Sequence, residues 1–455
     1  MGLPISKYRH PDYLTVDDEP RNRVRCPIHG FIHYSDNERH IIDHALFRRL
    51  RHIRQLALTE YIYPGAVHTR FEHSLGVMDV ATRAFDSLAV KHGDLLEATF
   101  KTVADFEKRP LALAREYLRL AALLHDVGHA SFSHAAEKAV NKGIGHEALT
   151  LYIVREKALL GRELSDRFAQ DCPERIAQII QGGRDMPPQL QILHDLVSGE
   201  MDADRTDYLL RDSHHCGVEY GRFDFRRMLE CLELVENDLG GLEVALNRGG
   251  LHTFEALILA RYQMNTQVYY HRLRRIYDLY LIEYHKSLGD EVLDTPEKVI
   301  AENDITMIGR IMGDARDAED DRTKWAKRLC DRNHHRQVHE TGVDASAEDV
   351  RRSQEIMAKA RSKYSGLEFL GDVANGRIHK LLTREDESDE GLIKMPLVGE
   401  NKKPRHVGYE SQVLSRIPRE FQCSRIFADV SREQNDLRQD ITEFLAKEWR
   451  EGGGN

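Results

Sequence analysis

Apolar residues along the chain recur mostly at steps of three and four, the period of helices that bury one face. Residues 1–36 are polar and irregular, and "CPIHGFIHYSD" within them reads as a short strand or hairpin. From His40 the rhythm turns helical: "IIDHALFRRLRHIRQL" sets Ile41, Phe47, Leu50 and Ile53 at mixed three- and four-residue steps. "FEHSLGVMDVATRAFDSLAV" predicts a second amphipathic helix, and "LALAREYLRLAALLHDVGH" a third, the most apolar, ending near Gly128. Further helices are expected over 144–155, at "RIAQIIQG" with a stop at Gly182–Gly183, and through "LQILHDLVSGEMDADRTDYLLRDSHHCG". The rhythm breaks at "LELVENDLGGLEVAL", where Gly240–Gly241 between alternating runs signals a β-hairpin. A long helix from about Thr253 to Lys286 follows, carrying Tyr262, Tyr269, Tyr270 and Tyr277. Beyond residue 288 charge dominates. "GDARDAEDDRTKWAKRLCDR" reads as a solvated helix, "TREDESDEG" as a mobile loop and "IFADVS" as a strand. The pattern therefore predicts a mainly α fold in three parts. An irregular or β segment spans 1–36, a helical core with small hairpins 37–290, and a charged, mixed α/β region 291–455.

Composition narrows the class. The chain has 455 residues, 41% hydrophobic and 31% charged, enough apolar side chains for a substantial core. A net charge of −10 argues against a dedicated duplex-DNA binder, although a local basic groove stays open. No run of 18 or more apolar residues occurs, and 1–36 has no apolar signal-peptide core, so a cytoplasmic protein with no membrane partner is expected. Six scattered cysteines without a CxxC pair fit reduced thiols better than a disulfide framework or a structural zinc site.

The chemistry concentrates in "ALLHDVGHASFSH", which puts His125, Asp126, His129 and His134 at the end of an apolar helix. Polar groups buried there cost free energy unless each finds a partner. On a continuous helix His125 and His129 share a face, with Asp126 in a neighbouring direction. Other helices can complete a shell: "HTRFEHSLG" offers His68 and His73, and "GEMDADRTDYLLRD" offers Asp202, Asp204, Asp207 and Asp212. Two imidazoles and two carboxylates form a mixed nitrogen–oxygen set that suits Mn, Fe, Mg or Zn and differs from a thiolate zinc site. Spacing alone leaves metal binding and a satisfied polar helix end both open.

In order, "HTRFEHSLGV", "ALLHDVGHASFSH", "GHE" and "DADRTDYLLRDSHHCG" resemble the HD-domain phosphohydrolases. More narrowly, they resemble the deoxynucleoside triphosphate triphosphohydrolase branch, over roughly residues 24–290. The resemblance implies His73, His125, Asp126 and Asp204 as ligands of one divalent ion. It implies His129, His134 and His146 along the phosphates, with His146 and Glu137 handling protons. Arg70 and Arg205 would meet phosphates, while Tyr208, Asp212, Tyr269 and His271 would shape the sugar and phosphate pocket. Gln55 and Leu56 match a Gln-Leu pair that packs against the deoxyribose and excludes a ribose. The implied reaction turns a dNTP and water into a deoxynucleoside and inorganic triphosphate. A homo-oligomer, a dimer or tetramer, is implied too.

Regulated members of that family bind an activating nucleotide near the segment corresponding to "CPIHG" and the helix after it. This chain keeps Asp43 and Arg51, with Arg48 nearby, but has Arg25–Cys26 where the family pattern is Asn-Asp. Arg48, Arg49 and Arg54 also fit the solvated face of an amphipathic helix. "NHHRQVHE" at 333–340 looks like another metal cluster but has no complementary residues nearby in sequence, so it is assigned to the surface. Two other function classes stay open: a phosphodiesterase or nuclease using the same metal chemistry, and a catalytically silent nucleotide-binding regulator.

Overall fold

The computed structural model describes residues 22–133, 145–183, 186–236, 241–289, 295–317, 321–383, 392–399 and 405–452. It is mainly α with three small sheets, as the pattern predicts. At the N-terminus β1 (Asn22–Cys26) and β2 (Gly30–Tyr34) pair antiparallel around "CPIHG". A second sheet runs in the order β3 (Leu232–Glu236), β4 (Leu242–Asn247), β7 (Pro396–Val398) and β8 (Arg405–His406). Its β3–β4 pair is the expected hairpin, and β4 and β7 are parallel. The third sheet has the order β5 (Arg336–Glu340), β9 (Glu420–Ala428), β6 (Phe369–Arg377), and β9 contains the start of "IFADVS".

Two helices form the spine. Thr69 and Glu72 make a reciprocal capping box that starts the Arg70–Phe100 helix. Pro110 opens the Pro110–Leu124 helix, whose first position needs no N–H. Their apolar faces, including Val77, Phe85, Leu118 and Leu124, lie in a core that runs in space from Cys26 to Phe427. That core therefore crosses residue 290. A smaller apolar cluster, with Val338, Ile356, Ile426 and Leu445, packs the helices Ala347–Lys363 and Asn435–Glu451 on the third sheet.

Several helices differ from the pattern, each for a local reason. The helix expected from His40 begins at Asp36, because Ser35 and Glu38 form a capping box, and it ends at Asp43. His44 then takes extended geometry and caps a new turn with its ring nitrogen. The helix expected over 253–286 is broken: Leu251–Met264 passes through a π-turn at Asn265–Tyr269 before Arg272–Ser287 begins, capped by His271. The charged stretch after 313 falls in two helices, Asp304–Asp317 and Asp321–Cys330, and is not simply solvated, since Trp325, Ala326 and Leu329 are buried. The loop expected at "TREDESDEG" lies outside the described residues apart from Thr383.

Candidate metal centre

The Pro110–Leu124 helix stops one residue before the histidine–aspartate pair, and His125 is its cap. The four-residue helical step from His125 to His129 therefore does not apply. A turn carries Asp126 between the two rings instead: the Asp126 carboxylate lies 3.4 Å from His125 Nε2 and 3.2 Å from His129 Nε2. His73, one turn into the Arg70–Phe100 helix, and Asp204, in the first turn of the Ala203–Cys216 helix, close the cluster. His73 Nε2 is 3.0 Å from Asp204 Oδ1 and 3.7 Å from Asp126 Oδ2, and His125 Nε2 is 3.7 Å from Asp204 Oδ1.

The ring protons explain what this cluster is built for. His125 Nδ1 lies 2.8 Å from the Ala122 carbonyl, and His73 Nδ1 lies 2.8 Å from Asp207 Oδ2. A carbonyl can only accept, so the His125 proton sits on Nδ1; the buried Asp207 carboxylate favours the same tautomer in His73. When the rings are neutral, as metal ligands are, each Nε2 carries a lone pair. Both Nε2 atoms are buried and make no hydrogen bond, despite the carboxylates beside them. Ligand atoms of His73, His125 and Asp126 lie within 4.8 Å of one another, with Asp204 Oδ1 beside both imidazoles, a set that fits a divalent cation. In the free chain, burial would lower the His73 pKa, but Asp204 and Asp207 raise it to about 10. Burial likewise would raise Asp126, while Arg70 and the neighbouring imidazoles hold it well below the usual carboxylate range. The site demands positive charge.

A second layer of residues, among them Asp207 from the candidate carboxylates, fixes the ligands. Asp207 is fully buried and receives His29 Nε2 at 2.6 Å and Arg211 at 2.8 and 2.9 Å. His29 comes from the β1–β2 turn, so the hairpin at "CPIHG" supports a metal ligand through Asp207. Gly76 makes the approach possible: a Cβ there would meet Asp207 Oδ1 at 2.0 Å. Arg49, which fits a solvated face by pattern, is instead buried and donates to the Val127, His129 and Glu302 carbonyls. Asp304 accepts the backbone N–H groups of Arg54 (2.8 Å) and Phe132 (2.7 Å). It thereby holds Phe132 and Ser133, both at positive φ, beside the site.

The other sequence-predicted residues lie partly beside this cluster and partly away from it. His129 and His146 come together, their rings stacked 4.0 Å apart. Arg70 is buried against Asp126 and donates to Ser133 Oγ. Gln55 is tied by its N–H to the His68 carbonyl, with Leu56 buried beside it. His68 reaches Asp212 at 2.7 Å, Tyr269 donates to the other Asp212 oxygen at 2.7 Å, and Tyr208 packs edge-on to Tyr269. The π-turn is what brings Tyr269 to Asp212. Arg205 is engaged by the Gly199 carbonyl and Asp202, and His271 serves as a helix cap near Tyr63. Arg25, Asp43, Arg48 and Arg51 are all exposed, with Arg51 over the Phe71 ring. His134 and Glu137 lie outside the described residues.

Residues 70–212 match the HD domain, and residues 223–365 match the HD associated region. The chain belongs to the HD-domain phosphohydrolases. All four residues of the cluster fall within the HD-domain match, whereas Asp304 reaches the site from the associated region. The chain is 35% identical over 274 residues to the uncharacterized protein YwfO of Bacillus subtilis, covering 58% of this chain and 56% of that one. It is 26% identical over 384 residues to the deoxynucleoside triphosphate triphosphohydrolase SAMHD1 homolog of Dictyostelium discoideum, covering 80% and 69%. The chain spans about half the length of the first curated relatives it matches. A hypothetical protein from Aquifex aeolicus superposes with a TM-score of 0.73 at 25% identity, over 93% of this chain and 99% of that one. A phosphohydrolase from Bacteroides thetaiotaomicron shares the fold with a TM-score of 0.68 at 22% identity, over 89% and 99%. Among the described residues no helix is long and apolar enough to cross a membrane.

Proposed function

We propose that the chain is a deoxynucleoside triphosphate triphosphohydrolase. Water attacks the α-phosphorus, the bond to the 5′-oxygen breaks, and a deoxynucleoside and inorganic triphosphate leave. One observation carries the reading beyond metal-dependent phosphohydrolase. Gln55 Oε1 is buried without a hydrogen-bond partner, on the same backbone turn that His68 ties to Asp212 and Tyr269. An unsatisfied amide oxygen, linked through His68 to a carboxylate–tyrosine pair, suits a sugar carrying one hydroxyl, while buried Leu56 offers no polar partner for a second. The similarity to the Dictyostelium triphosphohydrolase points the same way.

A divalent ion (Mn, Fe, Mg or Zn) held by His73, His125, Asp126 and Asp204 would lower the pKa of water and offset charge on a phosphoryl oxygen. In this reading Arg70 and His129 donate to the phosphates where the transition state gains charge, with Arg205, His134 and His271 around them. His146, stacked on His129, protonates the departing 5′-oxygen. Glu137 would partner it. Tyr208, Asp212 and Tyr269 hold the sugar. The exposed Arg25, Asp43, Arg48 and Arg51 are assigned to an activating nucleotide at a boundary between copies of a homo-oligomer, since several cations are needed to offset a triphosphate.

The test is product analysis. Each dNTP, each rNTP and a short oligonucleotide is incubated with the metal-loaded chain, singly and with the dNTPs mixed. The dNTPs should yield deoxynucleoside and triphosphate, and the rNTPs should turn over far more slowly. His146→Ala should keep the ion and nucleotide affinity while turnover falls by roughly 10²–10⁴, the usual range for losing a general acid. Nucleoside monophosphates released from the oligonucleotide, with dNTPs untouched, would replace this reading with a nuclease.

A further inference from the structure

The "NHHRQVHE" motif is assigned to the surface by sequence, yet the fold buries its third residue. His335 is 1% exposed and lies at the junction of the Arg272–Ser287 helix, the Asp321–Cys330 helix and the third sheet. Two carboxylates with no sequence relation to the motif converge on it: Glu368, just before β6, and Asp429, just after β9. Their backbones are joined by a hydrogen bond from Asp429 N–H to the Glu368 carbonyl, so the two side chains are delivered as a pair. One ligand atom from each of His335, Glu368 and Asp429 lies within 4.8 Å of the others. Ligands about 2.1 Å from one ion stand at most about 4.2 Å apart, so small side-chain adjustments close the set.

From this cluster we infer that the chain carries a second divalent-metal site, formed by His335, Glu368 and Asp429 and specific for a transition ion such as Zn2+. His335 Nε2 is buried with no hydrogen-bond partner, although Glu368 Oε2 is 3.3 Å away. His335 Nδ1 is 2.7 Å from Tyr280 Oη, which also accepts the His335 backbone N–H at 2.7 Å, so Tyr280 fixes the ring with Nε2 turned toward the carboxylates. Lys324 and Arg328 take the outer oxygens, Lys324 Nζ meeting Glu368 Oε1 at 2.6 Å while Glu368 Oε2 stays turned toward His335. These two cations offset the carboxylate charge, so the site binds more weakly than the HD cluster. One imidazole and two carboxylates, both half-exposed, leave room for water, and borderline ions prefer such a set to Mg2+. An ion here would tie the helical core to the C-terminal sheet, some distance in sequence from the HD motif and independent of which phosphoester that motif cleaves.

The experiment uses the full chain, stripped with chelator and titrated with Zn2+ alone. Bound metal is counted by mass spectrometry after desalting, and binding is followed by calorimetry. Wild type should hold two ions, Asp126→Asn one, His335→Gln one, and the double variant none. Zn2+ should raise the melting temperature of Asp126→Asn and leave that of Asp126→Asn/His335→Gln unchanged. Glu368→Gln changes a half-exposed side chain at constant size, so it repeats the test if His335→Gln folds poorly. One ion per wild-type chain, or two ions retained in both His335→Gln and Glu368→Gln, would overturn the site. Either result would assign His335 a proton on Nε2 and an ordinary contact with Glu368.

Discussion

At the scale of single residues, the cluster works because each ring nitrogen has one job. The proton on Nδ1 goes to a fixed acceptor, Asp207 for His73 and a backbone carbonyl for His125, so both lone pairs face the carboxylates. Asp207→Asn keeps the shape but offers His73 an amide in place of a carboxylate. It should weaken metal affinity about 10- to 100-fold, the usual cost of losing an outer partner, and a competition titration against a chromophoric chelator checks this. The four cluster residues were legible because their motifs are contiguous or short. Asp207 was named only among the possible ligands and His29 not at all, since they meet across 178 positions of sequence and nothing local marks the pair. Gln55 was readable by resemblance, but its unsatisfied oxygen is a property of the packing. His335 was visible as a histidine-rich run and misplaced, because the carboxylates beside it come from the residues flanking β6 and β9.

At the scale of elements, helix ends and interruptions place the chemistry. The Pro110–Leu124 helix stops at Leu124, and the turn that follows aims Asp126 between two imidazoles. Periodicity located that helix but not its last residue, so the reading that put His125 and His129 on one helical face failed. The break in the 251–287 helix was hidden for the same reason: "NTQVYYH" holds no proline or glycine, and the π-turn is set by tertiary contacts such as Tyr269 with Asp212. Gly128 marks where the turn meets the His146–Arg155 helix; a Cβ there would stand 2.4 Å from the His146 carbonyl and from Thr150 N. Gly128→Ala must push these backbones apart. It should cost about 1–3 kcal/mol of stability. It should also lower turnover up to about 10²-fold by displacing His146 from His129, while the ion content stays at the wild-type level. Melting curves, kinetics and metal analysis on one preparation separate the three effects.

At the scale of the molecule, buried charge pairs join segments that hydrophobicity alone would leave unregistered. Arg119 grips Glu38 with both arms, at 2.6 and 2.9 Å, and so fixes the first helix and the β1–β2 hairpin to the spine. Burial would raise the Glu38 pKa, but Arg119 lowers it below the ordinary value. The pair therefore stabilises the fold above the unfolded carboxylate pKa, and the contribution disappears as pH falls through the folded one. Arg119→Met should cost about 3–5 kcal/mol at neutral pH by leaving a buried carboxylate alone. The gap from wild type should shrink as acid protonates Glu38, which denaturant titrations from neutral to acidic pH would show. Composition and periodicity made the helical core legible at this scale, but not the way β7 and β8 return from the C-terminal region to extend the β3–β4 sheet. The proposed function rests on one central claim, that the HD cluster opens a dNTP at its α-phosphorus. Turnover of a dNTP by the metal-loaded chain in 18O-labelled water tests it most directly. One 18O should appear in inorganic triphosphate and none in the deoxynucleoside; a nucleoside monophosphate with pyrophosphate, or label in the deoxynucleoside, would contradict it.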